Sequence, residues 1–167
     1  MTPSGPQPPS GNTARERIMA AADGYAELGL TDLAWEEVAS LTEDDRNIPE
    51  AQELILSLFV RQNRWLEAIE AGRRMCLQRW NRPAVYIHTA YALHELGRTA
   101  EAQSTLQDGP ECLRTDPLFH YNMACYLAVS GNLTDAEVCL RTAFTMDGKL
   151  RLHARRDPDL KELRGIL

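Results

Sequence analysis

The sequence lacks the features that mark several large classes of protein. No apolar run approaches the roughly 20 residues that a membrane-spanning helix needs, and residues 1–12 lack the basic and apolar stretches of a signal peptide. The formal net charge is -6, so the chain has no excess of positive charge with which to bind nucleic acid. We therefore expect a cytoplasmic protein with reduced cysteines that binds neither a membrane nor nucleic acid.

Motifs for catalysis and metal binding are missing as well. The four cysteines, Cys76, Cys112, Cys125 and Cys139, show no C-x-x-C spacing, and the four histidines form no short metal-binding motif. The sequence also contains no glycine-rich phosphate loop and no nucleophile elbow. It thus predicts no enzyme, no catalytic residue, no cofactor and no metal. The metal-dependent alternative would join His88 to His120 and would appear as stoichiometric zinc or iron in the purified protein.

The first twelve residues differ in composition from the rest of the chain. They are rich in serine, glycine and proline, and the prolines stand at positions 3, 6, 8 and 9. This composition favours neither a helix nor a buried core. We expect residues 1–12 to form a disordered arm. The alternative is that this arm binds a partner in an extended conformation.

A period of 34 residues runs through the remaining sequence, as is typical of repeat proteins. One series of residues that end helices stands at Gly29, Asn63, Gly97 and Gly131. An alanine follows each of them five residues later, at Ala34, Ala68, Ala102 and Ala136. A third series, Pro49, Pro83 and Pro117, has the same spacing.

Each series has a physical cause that indicates a helix. Proline suits the first turn of a helix, where its missing N–H would have no partner, and Asp116 before Pro117 is a good N-cap. Glycine and asparagine tolerate the left-handed conformation that closes a helix. Alanine allows two helices to cross closely. The sequence therefore predicts helical hairpins at 15–48, 49–82, 83–116 and 117–148, with capping boxes at Thr13 and Thr134.

On these residues the chain resembles the tetratricopeptide-repeat (TPR) family over about residues 15–148. The alanine of that family's pattern is present in all four repeats, and Asn63 replaces the turn glycine in the second. The resemblance implies an all-α fold, a right-handed α-solenoid of four TPR hairpins (residues 13–148) with C-terminal capping helices at 149–167. Two departures concern local packing: Gly72 takes a normally bulky site, and residues 108–110 (Asp-Gly-Pro) end the second helix of the third repeat early.

The resemblance also implies a protein-binding scaffold, because members of this family line a concave groove with their first helices. The groove would run from an acidic end to an aromatic end. The expected partner-binding residues are Asp23, Glu27, Glu53, Ser57, Arg61, Ile87, Tyr91, Glu95, Tyr121 and Cys125. The alternative for Tyr91 and Tyr121 is that they pack against the capping segment.

A second candidate surface is basic. Six arginines fall between Arg61 and Arg82 against two glutamates, and a cluster of this kind can orient an acidic partner or can be solvated helix surface. The expected residues are Arg64, Arg73, Arg74, Arg79 and Arg82. In its size, its four repeats and its basic tail around residues 157–160 (Asp-Pro-Asp-Leu), the chain is also similar, more weakly, to the bacterial kinesin-light-chain-like TPR proteins that accompany bacterial tubulin. That similarity implies an adaptor on a tubulin filament, and the alternative is a secretion-chaperone-like protein that cradles an extended partner segment. We expect a monomer.

Overall fold

A computed structural model describes residues 11–78 and 81–166, and every regular element in those ranges is a helix. The all-α prediction is therefore confirmed. The elements are α1 (Gly11–Glu27), α2 (Thr31–Ser40), α3 (Glu43–Arg46), α4 (Pro49–Arg61), α5 (Trp65–Leu77), α6 (Pro83–Glu95), α7 (Thr99–Gln107), a 3₁₀ helix (Glu111–Thr115), α8 (Pro117–Val129), α9 (Leu133–Met146), α10 (Leu150–Ala154) and a second 3₁₀ helix (Pro158–Ile166). None of the helices in the described ranges is both long and apolar enough to cross a membrane.

The chain divides into two compact units, Met1–Gln62 and Asn63–Leu167. The boundary lies in the turn of the second predicted repeat, so α4 belongs to the first unit and α5 to the second. Helix α1 begins at Gly11, which makes residues 11 and 12 helical and places Thr13 inside the helix instead of at its cap. The other ten residues of the predicted arm lie outside the described residues.

The predicted turn residues adopt the conformation that the sequence requires of them. Gly29, Gly97 and Gly131 have φ values of 75°, 73° and 84°, and Asn63 has φ 57°. After each glycine, the next residue donates its N–H to the carbonyl five residues earlier, at 2.9 Å in all three turns. This is the Schellman arrangement, which satisfies the carbonyls at the end of a helix.

The first unit contains the hairpin of α1 and α2, with α4 packed against both. Its core holds Ala22, Ala26, Ala34, Val38, Leu54 and Leu58, and the partly buried Tyr25, Trp35 and Ile55 pack around them. The indole of Trp35 donates a 2.9 Å hydrogen bond to the amide oxygen of Gln62. Helix α3 was not predicted. It begins at the N-cap Thr42, whose hydroxyl accepts from the N–H of Asp45.

The second unit contains the hairpins of α6 with α7 and of α8 with α9, and α5 packs on α6. Gly72 is buried where α5 meets α6, and a Cβ at this position would lie 1.9 Å from Oγ1 of Thr89. The glycine at this normally bulky site therefore permits the close approach of the two helices. The three remaining repeat alanines, at 68, 102 and 136, have no exposed surface.

The helix ends of the second unit follow the sequence in most places. Asp116 caps α8 as predicted, because its carboxylate accepts from the N–H of Leu118 at 2.8 Å. Helix α7 ends at Gln107, before the predicted interruption, and a 3₁₀ turn follows. The cap assigned to Thr134 is wrong: Asn132 caps α9 by accepting from the N–H of Asp135. The capping helices predicted at 149–167 are present as α10 and the second 3₁₀ helix.

Candidate functional site

The expected groove residues of the first unit form a largely acidic, partly exposed set. Asp23 and Glu27 on α1 and Arg61 on α4 are exposed. Glu53 and Ser57 are half-buried on α4, and the hydroxyl of Ser57 donates back to the carbonyl of Leu54 at 2.8 Å. This hydroxyl is therefore used within its own helix.

In the second unit the expected residues separate into two groups. Tyr91 and Glu95 on α6 are exposed, and 37% of the Tyr91 surface is accessible. Ile87, Tyr121 and Cys125 are buried. Ile87 and Cys125 therefore leave the expected contact surface, and only a small part of Tyr121 remains accessible, because the C-terminal segment covers it.

A cavity of about 890 Å³ lies over α6 and α8 and is closed on one side by the C-terminal segment. We call it the α6–α8 groove. Its wall includes Tyr91 and Glu95 from α6, Leu118, Tyr121, Asn122 and Val129 from α8, and Asp157 and Asp159 from the C-terminal segment. A cavity of this size is typical of a binding site for a small molecule or a few peptide residues.

Asp157 explains why Tyr121 and Cys125 are covered. Its Oδ2 accepts a 2.7 Å hydrogen bond from the Tyr121 hydroxyl and a 3.6 Å contact from the Cys125 thiol. Its Oδ1 accepts the N–H of Asp159 at 3.0 Å, which caps the last 3₁₀ helix. The alternative for Tyr121, packing against the capping segment, is therefore the one that the structure supports.

A second link joins the C-terminal segment to α6. Nε2 of His94 lies 2.9 Å from Oδ2 of Asp159, and Nδ1 of His94 lies 2.9 Å from the Thr99 hydroxyl. The imidazole also packs on the ring of Tyr126, with a centroid distance of 4.8 Å. A proton on Nε2 donated to Asp159, together with a Thr99 hydroxyl donated to Nδ1, satisfies the whole arrangement.

Cys125, Asp157 and Asp159 are also close enough together to be considered as metal ligands, because one ligand atom of each lies within 4.8 Å of the others. Their hydrogen bonds indicate a helix cap instead of a metal site. Both oxygens of Asp157 already accept hydrogen bonds. Burial, and then the charges of Asp157 and Asp159, raise the pKa of the Cys125 thiol, which opposes the thiolate that a metal needs. We assign no metal to this cluster.

Tyr91 lies close to several carboxylates that line the α6–α8 groove. Its pKa is raised to about 12, first by burial, then by the charge and hydrogen bond of Glu95, and then by the charges of Asp157 and Asp159. Carboxylates raise the pKa of a phenol because they disfavour a second negative charge nearby. The ring of Trp65 meets Tyr91 edge-on at 5.8 Å. The sequence did not indicate this aromatic pair, because the two residues lie on different helices.

The expected basic patch is largely paired with acidic residues. Arg64 bonds Glu67 at 2.9 Å, Arg73 bonds Glu101 at 2.6 Å, and Arg74 bonds Glu70 at 3.4 Å. Arg82 is half-buried, and Arg79 lies outside the described residues. Exposed pairs of this kind add little to stability, but they reduce the net charge that the arginines present to an acidic partner.

Comparison with known proteins concerns the fold. No protein-family model matches this sequence, and no curated protein matches it. A solved structure described as MamA MSR-1 C2 is similar, with a TM-score of 0.62 and 16% sequence identity over 81% of this chain and 78% of that chain. MamA is a TPR-containing protein, and the likeness shows that this chain has a TPR-type helical-repeat fold.

Proposed function

We propose that this TPR-type chain is a non-enzymatic protein-interaction scaffold whose α6–α8 groove binds an extended segment of another protein. The observation that carries the proposal is the apolar surface that remains open in this groove: Leu118 is 43% exposed and Val129 50% exposed on the same wall. Apolar side chains that stay exposed in a concave site are typical of a binding surface.

The shape and chemistry of the α6–α8 groove suit an extended peptide. Leu118 and Val129 stand near the two ends of α8, separated by about 16 Å at a helical rise of 1.5 Å per residue. Asn122 lines the wall between them and offers both a donor and an acceptor. A peptide of about five extended residues spans this distance. Such a peptide could contact Leu118 and Val129 with apolar side chains while its backbone bonds the amide of Asn122.

The state of two side chains at the groove, Tyr121 in its wall and Cys125 buried behind it, supports a binding role over a catalytic one. Burial raises the pKa of Cys125, and burial together with the hydrogen bond to Asp157 raises that of Tyr121. Both groups are therefore protonated at neutral pH. A nucleophile or general base needs the opposite shift.

Site-specific photo-crosslinking tests the proposal in native lysate. A benzophenone amino acid replaces Leu118 in the groove or, as the control, Val138, which is exposed on α9 and does not line the groove. We expect a discrete crosslinked protein from position 118 that position 138 does not give. Equal products from both positions, or none from position 118, would argue against a binding groove.

Two finer versions of the scaffold remain as second candidates. An adaptor on a bacterial tubulin filament would use the arginines between residues 61 and 82, and three of these, Arg64, Arg73 and Arg74, are paired with glutamates. Co-sedimentation with bacterial tubulin polymer, lost on Arg73→Glu with Arg74→Glu, would favour this version. A secretion-chaperone-like protein would instead be an obligate dimer that dissociates when a substrate peptide is added, which gel filtration measures.

A further inference from the structure

We propose that the segment bound in the α6–α8 groove carries an arginine or lysine whose charged group lies between Glu95 and Asp159, against the ring of Tyr91. This inference rests on the proposed function and specifies the partner. Its basis is the convergence of carboxylates from two parts of the second unit on one exposed aromatic ring.

The charge of the groove is the first support. Glu95, Asp157 and Asp159 line it, and Arg156 is the one lysine or arginine among the lining residues that the structure describes, with His94 and His153 as further titratable groups. Asp157 and Asp159 come from the C-terminal segment, and Glu95 comes from α6. Their charges all raise the pKa of Tyr91, so each of the three carboxylates lies near enough to the phenol to affect its ionisation. A field that opposes a phenolate attracts a cation.

The aromatic wall is the second support. Tyr91 is partly exposed, and Trp65 packs edge-on against it. A guanidinium or ammonium over a tyrosine face gains about 0.5–1 kcal/mol at an exposed site, and the methylene stem of the side chain can cover apolar surface such as Val129. The ring of Tyr91 and the neighbouring carboxylates together thus favour a long basic side chain.

A basic side chain suits the available acceptors better than a metal ion does. Asp157 is occupied by Tyr121, Cys125 and the N–H of Asp159. Oδ2 of Asp159 faces His94, but the side chain of Asp159 remains 29% exposed, and Glu95 is exposed. Two accessible carboxylates at a groove wall can bond a guanidinium, whereas a metal ion held by Cys125, Asp157 and Asp159 would have to break the hydrogen bonds that Asp157 accepts.

The test uses a random peptide display library selected on the full chain. Peptides that lose binding on Asn122→Trp, which fills the groove, are classed as groove-dependent. We expect these peptides to be enriched in arginine or lysine. We also expect Glu95→Gln to weaken their binding about tenfold, and Glu36→Gln, an exposed glutamate on α2, to leave it unchanged. Thermal unfolding of each variant confirms that it is folded.

The outcomes separate the two proposals. Groove-dependent peptides without basic residues, or with affinities unchanged by Glu95→Gln, would overturn the basic side chain and leave the scaffold in place. No groove-dependent peptide at all would overturn the scaffold itself. Binding that requires added Zn²⁺ and is abolished by a chelator would replace the basic side chain with a metal ion. A charge swap tests the pairing directly. If a peptide whose arginine is changed to glutamate no longer binds the wild type but binds the Glu95→Lys variant, the basic side chain pairs with Glu95.

Discussion

The hydroxyl of Tyr121 donates a 2.7 Å hydrogen bond to the carboxylate of Asp157, 36 residues further along the chain. This bond joins α8 to the start of the last 3₁₀ helix. It also leaves little of the tyrosine accessible to a partner, because the chain's own C-terminal segment covers most of the side chain.

The first prediction compares two buried tyrosines on α8. Tyr121→Phe removes a donor from Asp157 and leaves that carboxylate short of a partner, so we expect a loss of about 1–3 kcal/mol in the free energy of unfolding. Tyr126 is 1% exposed, and its hydroxyl has no hydrogen-bond partner among the described residues. Tyr126→Phe should therefore leave stability unchanged or raise it. Urea unfolding of both variants measures the difference, and equal losses would contradict the assignment of the two hydroxyls.

The second prediction concerns the close approach of α5 and α6. In Gly72→Ala the new methyl group would lie 1.9 Å from Oγ1 of Thr89, so either Thr89 gives up its hydrogen bond to the carbonyl of Val85 or the helices separate. We expect a loss of about 1–3 kcal/mol, as in other overpacked cores. Adding Thr89→Ala should recover part of it.

The control for this variant is another glycine inside a helix. A methyl group added at Gly24 in α1 would meet open space, because no neighbouring side chain or helix in the described part of the chain comes within 4 Å of it. Gly24→Ala should therefore gain about 0.5–1 kcal/mol from helix propensity alone. Calorimetric melting that placed both alanine variants at the same midpoint would show that Gly72 does not set the helix spacing.

The third prediction concerns the turns. Gly97 has φ 73°, and an alanine there is strained by about 1–2 kcal/mol. Asn63 has φ 57°, and glycine adopts this conformation freely, so Asn63→Gly should be tolerated and Asn63→Ala should be destabilising. Chemical denaturation of the three variants ranks them. Destabilisation by Asn63→Gly equal to that by Gly97→Ala would mean that backbone conformation is not why these residues recur.

The sequence predicted most of the local structure, because local structure depends on neighbouring residues. A glycine or asparagine at a helix end, a proline at N1 and a cap such as Asp116 each determine the conformation of only about six neighbouring residues. All of these predictions agree with the structure. The exception at α9 shows the limit of residue type as a guide. Asn132 and Thr134 are both acceptable caps by type, and the side chain that reaches the N–H of Asp135 is decided by the turn at Gly131.

The candidate site was predicted less well, because it depends on contacts between distant residues. A 34-residue period placed Tyr121 and Cys125 on the inner side of their helix, but it could not show that Asp157 covers them. It likewise missed the contact of His94 with Asp159 and the pairing of Trp65 with Tyr91. The C-terminal capping helices were predicted, but the helices that they contact were not.

Crosslinking at position 118 identifies a partner protein. The most direct test of the binding groove is the affinity of this purified partner for the protein, measured by calorimetry. Asn122→Trp fills the α6–α8 groove, and Val138→Trp adds the same side chain on α9. We predict at least tenfold weaker binding for Asn122→Trp and unchanged binding for Val138→Trp. Equal affinities for wild type and Asn122→Trp would contradict a partner-binding role for the groove.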